Sequence, residues 1–137
     1  MNFISNLELL DLSKNFDERG SLIEISKLNK INFELKRIFY IYDINPNYLR
    51  GDHAHKKCKQ LLICLRGSVR VKSWDGSESC EHILNSPSSA LFIPEMIWAA
   101  QEYMVKDSVL LVACDRIYDK KDYINQKSEF LKLRNIK

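Results

Sequence analysis

Proline and glycine are scarce in this chain, three and four in 137 residues. That excludes a collagen-like repeat or a Pro- or Gly-rich linker, and no segment repeats or falls to low complexity. Long apolar runs are missing too. Nothing approaches the roughly 20 residues a membrane span needs. Met1 to Leu12 lacks the basic segment and apolar stretch of a signal peptide. Cysteines are few: Cys58, Cys64, Cys80 and Cys114 form no CxxC pair and no zinc-site spacing. Cys64 and Cys114 lie within apolar runs and read as buried free thiols, which suits a reducing compartment. A strong excess of one charge is also absent. The 21 basic and 18 acidic residues leave a net charge of +3, too mild to imply a nucleic-acid polymer as partner. It permits an anionic small ligand where arginines and lysines converge on a pocket. What remains is an ordinary globular composition, 45% hydrophobic. We expect one domain over residues 1–137, in the cytoplasm, with no membrane contact.

The periodicity is mainly that of strands. Ser21 to Ile25 follows the turn-like Asp17-Glu18-Arg19-Gly20, and Arg37 to Tyr42 is rich in aromatic and β-branched residues. Gln60 to Leu65 is a short apolar run. After Gly67, Val69 and Val71 alternate with Arg70 and Lys72 as far as Trp74, and Asp75-Gly76 is a strong hairpin signal. Glu81 to Leu84, Ala90 to Ile93 and Val109 to Ala113 complete the series. Only Lys120 to Leu133 reads as helix, with apolar positions at Tyr123, Ile124, Phe130, Leu131 and Leu133. Many short strands and almost no helix predict an all-β sandwich or small barrel with a short C-terminal helix. Several strands read as uncovered edges, so a dimer that pairs or exchanges strands is expected.

Chemistry concentrates in Arg50-Gly51-Asp52-His53-Ala54-His55-Lys56-Lys57-Cys58-Lys59-Gln60. His53 and His55 are two apart, so on a strand they share a face. We expect a hairpin to return through Gln60 to Leu65, which would bring Gln60 to the same cavity. Polar side chains on an inner face need a reason to be there. Two of the chain's three histidines fall in this motif, which argues against ordinary surface histidines. The third, His82, sits in a polar stretch and is expected at the surface.

The spacing G-x-H-x-H-x4-Q-x6-G resembles the first cupin motif, in which two histidines and a glutamate bind a metal. Here the glutamate position is Gln60, an uncharged and poorer ligand. The region matching the second motif, Phe92 to Ala100, contains no histidine. Two histidines leave a transition metal under-coordinated, so we expect a site with no metal and no cofactor, whose imidazoles do acid–base work near neutral pH.

In order and spacing, D-E-R-G-S-L (17–22), K-R-I-F-Y-I-Y-D (36–43), R-G-D-H-A-H-K-K (50–57), the run from Leu61 to Val71, the Pro94…Trp98 turn and I-Y-D-K-K-D-Y-I (117–124) together resemble the sugar-nucleotide 3,4-ketoisomerases. These act on dTDP-4-keto-6-deoxyglucose. The resemblance spans nearly the whole chain and implies a jelly-roll cupin dimer, often strand-exchanged, that needs no metal. It implies a dTDP-linked keto-deoxysugar as ligand and a product that feeds an aminotransferase, then a surface polysaccharide such as O-antigen, or an antibiotic. It places proton transfer on His55 at C3 and His53 at C4. Tyr40 either hydrogen-bonds a sugar oxygen, assists a histidine or packs as a core aromatic. Arg50 and Lys56 flank the histidines as diphosphate ligands, Lys56 alternatively being a solvated charge of the Lys56, Lys57 and Lys59 cluster, with Arg19 and Arg37 as further candidates. Trp98 and Tyr118 stack on the base or line the sugar pocket, with core packing the alternative for Trp98. Gln60 completes the binding set. Where related enzymes carry a polar residue after the tryptophan, this chain has Ala99 and Ala100, with Gln101 as the nearest substitute. Three rivals share the scaffold: a metal-dependent cupin enzyme, a nucleotide-sugar 3,5-epimerase, and a sugar-binding cupin without activity.

Overall fold

In the computed structural model, residues 1–25, 28 and 31–136 are described. Twelve strands run in chain order: β1 Glu8–Asp11, β2 Lys14–Asp17, β3 Gly20–Ile23, β4 Arg37–Ile41, β5 Leu49–His55, β6 Gln60–Arg66, β7 Val69–Trp74, β8 Ser79–Leu84, β9 Ser89–Ile93, β10 Trp98–Tyr103, β11 Val109–Cys114 and β12 Tyr123–Ile124. One helix, α1 Lys127–Leu133, follows. The strands build two five-stranded antiparallel sheets, β1-β9-β6-β11-β4 and β12-β5-β10-β7-β8, while among the described residues β2 and β3 pair only with each other. This is the all-β architecture expected from the short, closely spaced strands. No helix among the described residues is long and apolar enough to cross a membrane.

The main core lies between the two sheets. Leu62, Cys64, Leu91, Leu110 and Val112 meet Val69, Val71, Leu84 and Tyr103 there. The reason β6 reads as an unbroken apolar run is visible in its other face. Leu61 and Ile63 point away from the main core into a second cluster with Leu10, Ala90, Phe92 and Ala113. A strand covered on both faces loses the alternation of a half-buried one. The β7 strand keeps it: Val69 and Val71 point in, while Arg70 and Lys72 point out and reach Glu81 and Glu102 on the flanking strands. The Asp75-Gly76 hairpin forms as expected. The Asp75 carboxylate accepts from the amides of Ser77 and Glu78 at 2.9 and 2.8 Å, and Gly76 takes φ 96°.

Two expectations are corrected. The histidine strand and Gln60–Leu65 are not a hairpin: β5 pairs with β10 and β12 in one sheet, β6 with β9 and β11 in the other. The connection crosses between sheets, so the two strands face each other across the core. The C-terminal helix is also shorter than its apolar pattern suggests. Lys120–Asp122 forms a single 3-10 turn, Tyr123–Ile124 adds a strand to the edge of β5, and only Lys127–Leu133 is α-helical. Phe130 anchors that helix. It is fully buried against Ala54, Trp98 and Ile124 on the outer face of the β5–β10 sheet, a burial that stabilises by roughly 1.5–3 kcal/mol.

Candidate active site

The β5 strand alternates cleanly. His53 and His55 point between the sheets, while Ala54 points out under α1. The strand reaches this geometry through a bulge. Ala99 is opposite His53 and Ala100 opposite Gly51, which leaves Asp52 without a partner across the ladder. Gly51 and Asp52 take φ 72° and 58°. A Cβ on Gly51 would come within 2.8 Å of the Gln101 side chain and 3.2 Å of the Ala99 carbonyl, so glycine is required there. The bulge turns Asp52 outward to accept from the Trp98 indole N–H at 2.9 Å. It also sets the Gly51 carbonyl 3.0 Å from His53 Nδ1.

The two imidazoles are 5.0 Å apart between ring centroids, nearly edge to face. Each has its Nδ1 against an acceptor. Gly51 O can only accept, so His53 Nδ1 carries the proton. Asp122 Oδ2 lies 3.0 Å from His55 Nδ1, and its carboxylate also accepts from the amides of Lys57 at 2.8 Å and Cys58 at 3.3 Å, so His55 Nδ1 carries the proton too. Both Nε2 atoms are left as proton acceptors. His55 Nε2 is buried with no hydrogen-bond partner among the described residues. Burial, the neighbouring His53 and Arg37 pull His55 down to about 4, against the opposing pull of Asp122. Burial also lowers His53, opposed by its bond to Gly51 and by Asp52. Both rings are therefore neutral at physiological pH.

Tyr123 lies opposite His55 in the β5–β12 ladder. Its ring sits 4.4 Å from His55 and 4.9 Å from His53. Arg37 donates to the Tyr123 hydroxyl at 3.4 Å, which leaves the hydroxyl proton free to point elsewhere. Arg37 also stacks near Tyr118, itself 5.8 Å from Tyr123. The cavity is completed by Cys58, Gln60, Ile93, Pro94, Ile97, Ala99 and Gln101. Gln60 thus reaches the histidines, but from the facing sheet. Of the two alanines, Ala99 and not Ala100 faces the cavity, and Gln101 supplies a polar group beside it.

The remaining expected residues lie elsewhere. Tyr40 is 63% exposed. Strand periodicity turns Phe39 and Ile41 to the core and Tyr40 outward, away from the histidines. Trp98 is buried at 5% exposure under Phe130, so it packs beneath the site and holds Asp52. Arg50 is exposed beside Gly51 in a groove with Tyr42, Tyr48 and Tyr103. Lys56 is solvent-exposed. Arg19 stands on the β2–β3 hairpin, ion-paired with Asp17 at 2.6 Å. His82, expected at the surface, is half-buried on β8. Asp122 and Tyr123 are the residues that sequence reasoning did not single out. The only signal for them was their place within 117–124.

His55, Cys58 and Asp122 offer ligand atoms within 4.8 Å of one another. Their donors are already committed. His55 Nδ1 and both Asp122 oxygens are spent on one another and on backbone amides. The Cys58 thiol is pushed up by the neighbouring Cys114 and by burial, so it stays protonated and is a poor ligand. The set is a hydrogen-bond network and does not fit a metal ion.

Comparison with known proteins gives consistent results. The family described as "FdtA: WxcM-like, C-terminal" matches residues 5–135. A TDP-4-oxo-6-deoxy-α-D-glucose-3,4-oxoisomerase from Aneurinibacillus thermoaerophilus is 38% identical over 125 residues, covering 91% of this chain and 90% of that protein. The crystal structure of a 3,4-ketoisomerase from Helicobacter canadensis superposes with a TM-score of 0.90 at 38% identity, covering 95% of this chain and 98% of the other. A mutant of the 3,4-ketoisomerase QdtA from Thermoanaerobacterium thermosaccharolyticum, solved with TDP-4-keto-6-deoxyglucose, gives a TM-score of 0.90 at 32% identity, covering 96% and 95%.

Proposed function

Since the chain belongs to the WxcM-like family and is a TDP-sugar 3,4-ketoisomerase, we propose that His53 and His55 carry the proton transfers on dTDP-4-keto-6-deoxyglucose. The 4-ketone acidifies the hydrogen on C3. His55 Nε2 removes that proton, and the electron pair flows through a C3–C4 double bond onto O4, giving an enediolate. The proton taken up by His55 Nε2 passes to His53 Nε2, which delivers it to C4, while the O3 proton moves to O4, leaving the ketone at C3, a hydroxyl at C4 and both imidazoles as they began. No atom is gained or lost. The Tyr123 hydroxyl, accepting from Arg37, donates to the developing oxyanion. The observation that carries this reading is the pair of imidazoles with both Nδ1 protons pinned and both Nε2 atoms free in one cavity.

Gln60, Gln101 and Tyr118 line the sugar's path, and Arg50 meets the diphosphate, with Arg37 committed to the Tyr123 hydroxyl. The whole chain acts as one cytoplasmic domain with no cofactor. It works as a strand-exchanged dimer. Among the described residues of one chain the β2–β3 hairpin pairs only with itself and leaves Phe16 74% and Leu22 61% exposed, apolar surface that a second copy would cover. Arg19 and Tyr40 would reach substrate only across that interface.

Incubation with dTDP-4-keto-6-deoxyglucose in heavy water, followed by NMR, tests the reaction. The carbonyl should move from C4 to C3, with deuterium entering at C4. Deuterium at C5 would mark a 3,5-epimerase and refute the proposal.

A further inference from the structure

Arg37 brings a guanidinium into the half-buried wall of the site with no carboxylate ion-pair partner among the described residues. Its contacts are instead the Tyr123 hydroxyl and, at 3.5 Å, the sulfur of Cys114. Cys114 ends β11 and is fully buried. A second donor, Gln60 Nε2, reaches the same sulfur at 3.5 Å. The S–H of the neighbouring Cys58 donates to the Lys59 carbonyl at 3.4 Å. Two donors converge on the Cys114 sulfur, and one of them is a cation. A neutral thiol has its own proton to place and accepts weakly. A thiolate satisfies both.

We propose that Cys114 is a positioning residue of the isomerase site: its sulfur is the buried counter-ion that fixes Arg37 against Tyr123 and holds Gln60 in the cavity wall. The proposal rests on the ketoisomerase reading for its kinetic consequence but not for its chemistry. The electrostatics agree with the geometry. The neighbouring Cys58 thiol, with Arg37 and Gln60, brings Cys114 down to about 6 against its burial, and the same proximity pushes Cys58 up. The pair therefore shares one proton, which stays on Cys58. Cys64 and Cys80 are both raised by burial, so Cys114 is the thiolate expected at neutral pH. The ionisable groups facing the pair are Arg37 from β4, His55 from β5, Asp115 after β11 and Asp122 beside β12. Removing the sulfur's charge frees the guanidinium to turn and loosens the Tyr123 hydroxyl, which matters more once charge develops on the sugar than when the sugar binds.

The test has two arms. The far-ultraviolet thiolate band of the whole protein, titrated against an acid baseline, should be present at neutral pH, lost in Cys114→Ser and retained in Cys58→Ser. This arm needs no substrate, so it stands apart from the assigned reaction. Kinetically, Cys114→Asn should lower kcat about tenfold or more, as loss of a charge-assisted bond does, with KM changed less than about threefold. Cys114→Asp, which restores an anion of the same shape as Asn, should recover part of kcat. A merely structural cysteine would lower thermal stability equally in both and leave kcat alone. Absence of the band at neutral pH in the wild-type protein overturns the proposal even where the variants fail to fold. So does Asn matching Asp in kcat.

Discussion

Replacing Asp122 with asparagine should separate catalysis from folding. Asp122 Oδ1 accepts from the Lys57 amide at 2.8 Å, and Oδ2 accepts from His55 Nδ1 at 3.0 Å and the Cys58 amide at 3.3 Å. Asparagine is the same size and keeps an acceptor for the short Lys57 bond. It places an NH2 where Oδ2 was, so the long Cys58 bond is lost, at a cost of about 1–2 kcal/mol. The larger effect is on the imidazole. The new N–H donates to His55 Nδ1, and the ring proton must move to Nε2. The atom proposed to take the C3 proton is then blocked. Loss of the correct tautomer in a carboxylate–histidine pair is worth up to about 10^4-fold in kcat. We expect a fall of roughly 10^2- to 10^4-fold, with nucleotide affinity within a few-fold of wild type. The assay is product formation followed by NMR, alongside thermal unfolding and TDP titration by calorimetry. A D122N enzyme that folds, binds TDP and turns over within threefold of wild type would refute the role given to His55.

Two further outcomes follow from the same geometry. Because both imidazoles must be neutral and both lie below the ordinary histidine value of 6.5, His55 at about 4, log kcat/KM should stay flat from pH 8 to 6.5 and fall only below. An acid limb at or above 7 would contradict the buried, neutral pair. The stability sign agrees: the folded-state pKa is depressed, so the unfolded chain binds the proton more tightly. Stability is full above pH 6.5 and declines as pH falls toward 4, by an amount on the order of 3 kcal/mol for His55. Phe130→Ala should cost about 3–5 kcal/mol and reduce kcat along with it, because undocking α1 also frees β12 and Tyr123. Unchanged hydrogen-exchange protection at Ile124 and Phe130 in that variant would show that the helix is held by something else.

The histidine pair was legible because the inference needed only the two-residue period of a strand. The same period was available for β4 and assigns Tyr40 correctly when used: Arg37, Phe39 and Ile41 inward, Ile38 and Tyr40 outward. What sequence could not show was which strands meet. Only residues 56–59 separate β5 from β6, a length that suits a hairpin, yet the chain crosses between facing sheets because both faces of β6 are apolar and need cover. That crossing is what sets Gln60 opposite the histidines. The β10 strand, W-A-A-Q-E-Y, is poor in β-branched residues and was not recognised, because its flanking partners β5 and β7 impose the strand. Asp122 and Tyr123 were hidden for a related reason. Their spacing fits a helix locally, and the pairing that straightens the chain is with His55 and Ala54, nearly 70 positions earlier. The group that fixes the His55 tautomer thus arrives through a long-range contact of just two residues. The chemistry was readable in one short motif, while its orientation depends on a segment whose conformation is decided by the rest of the fold.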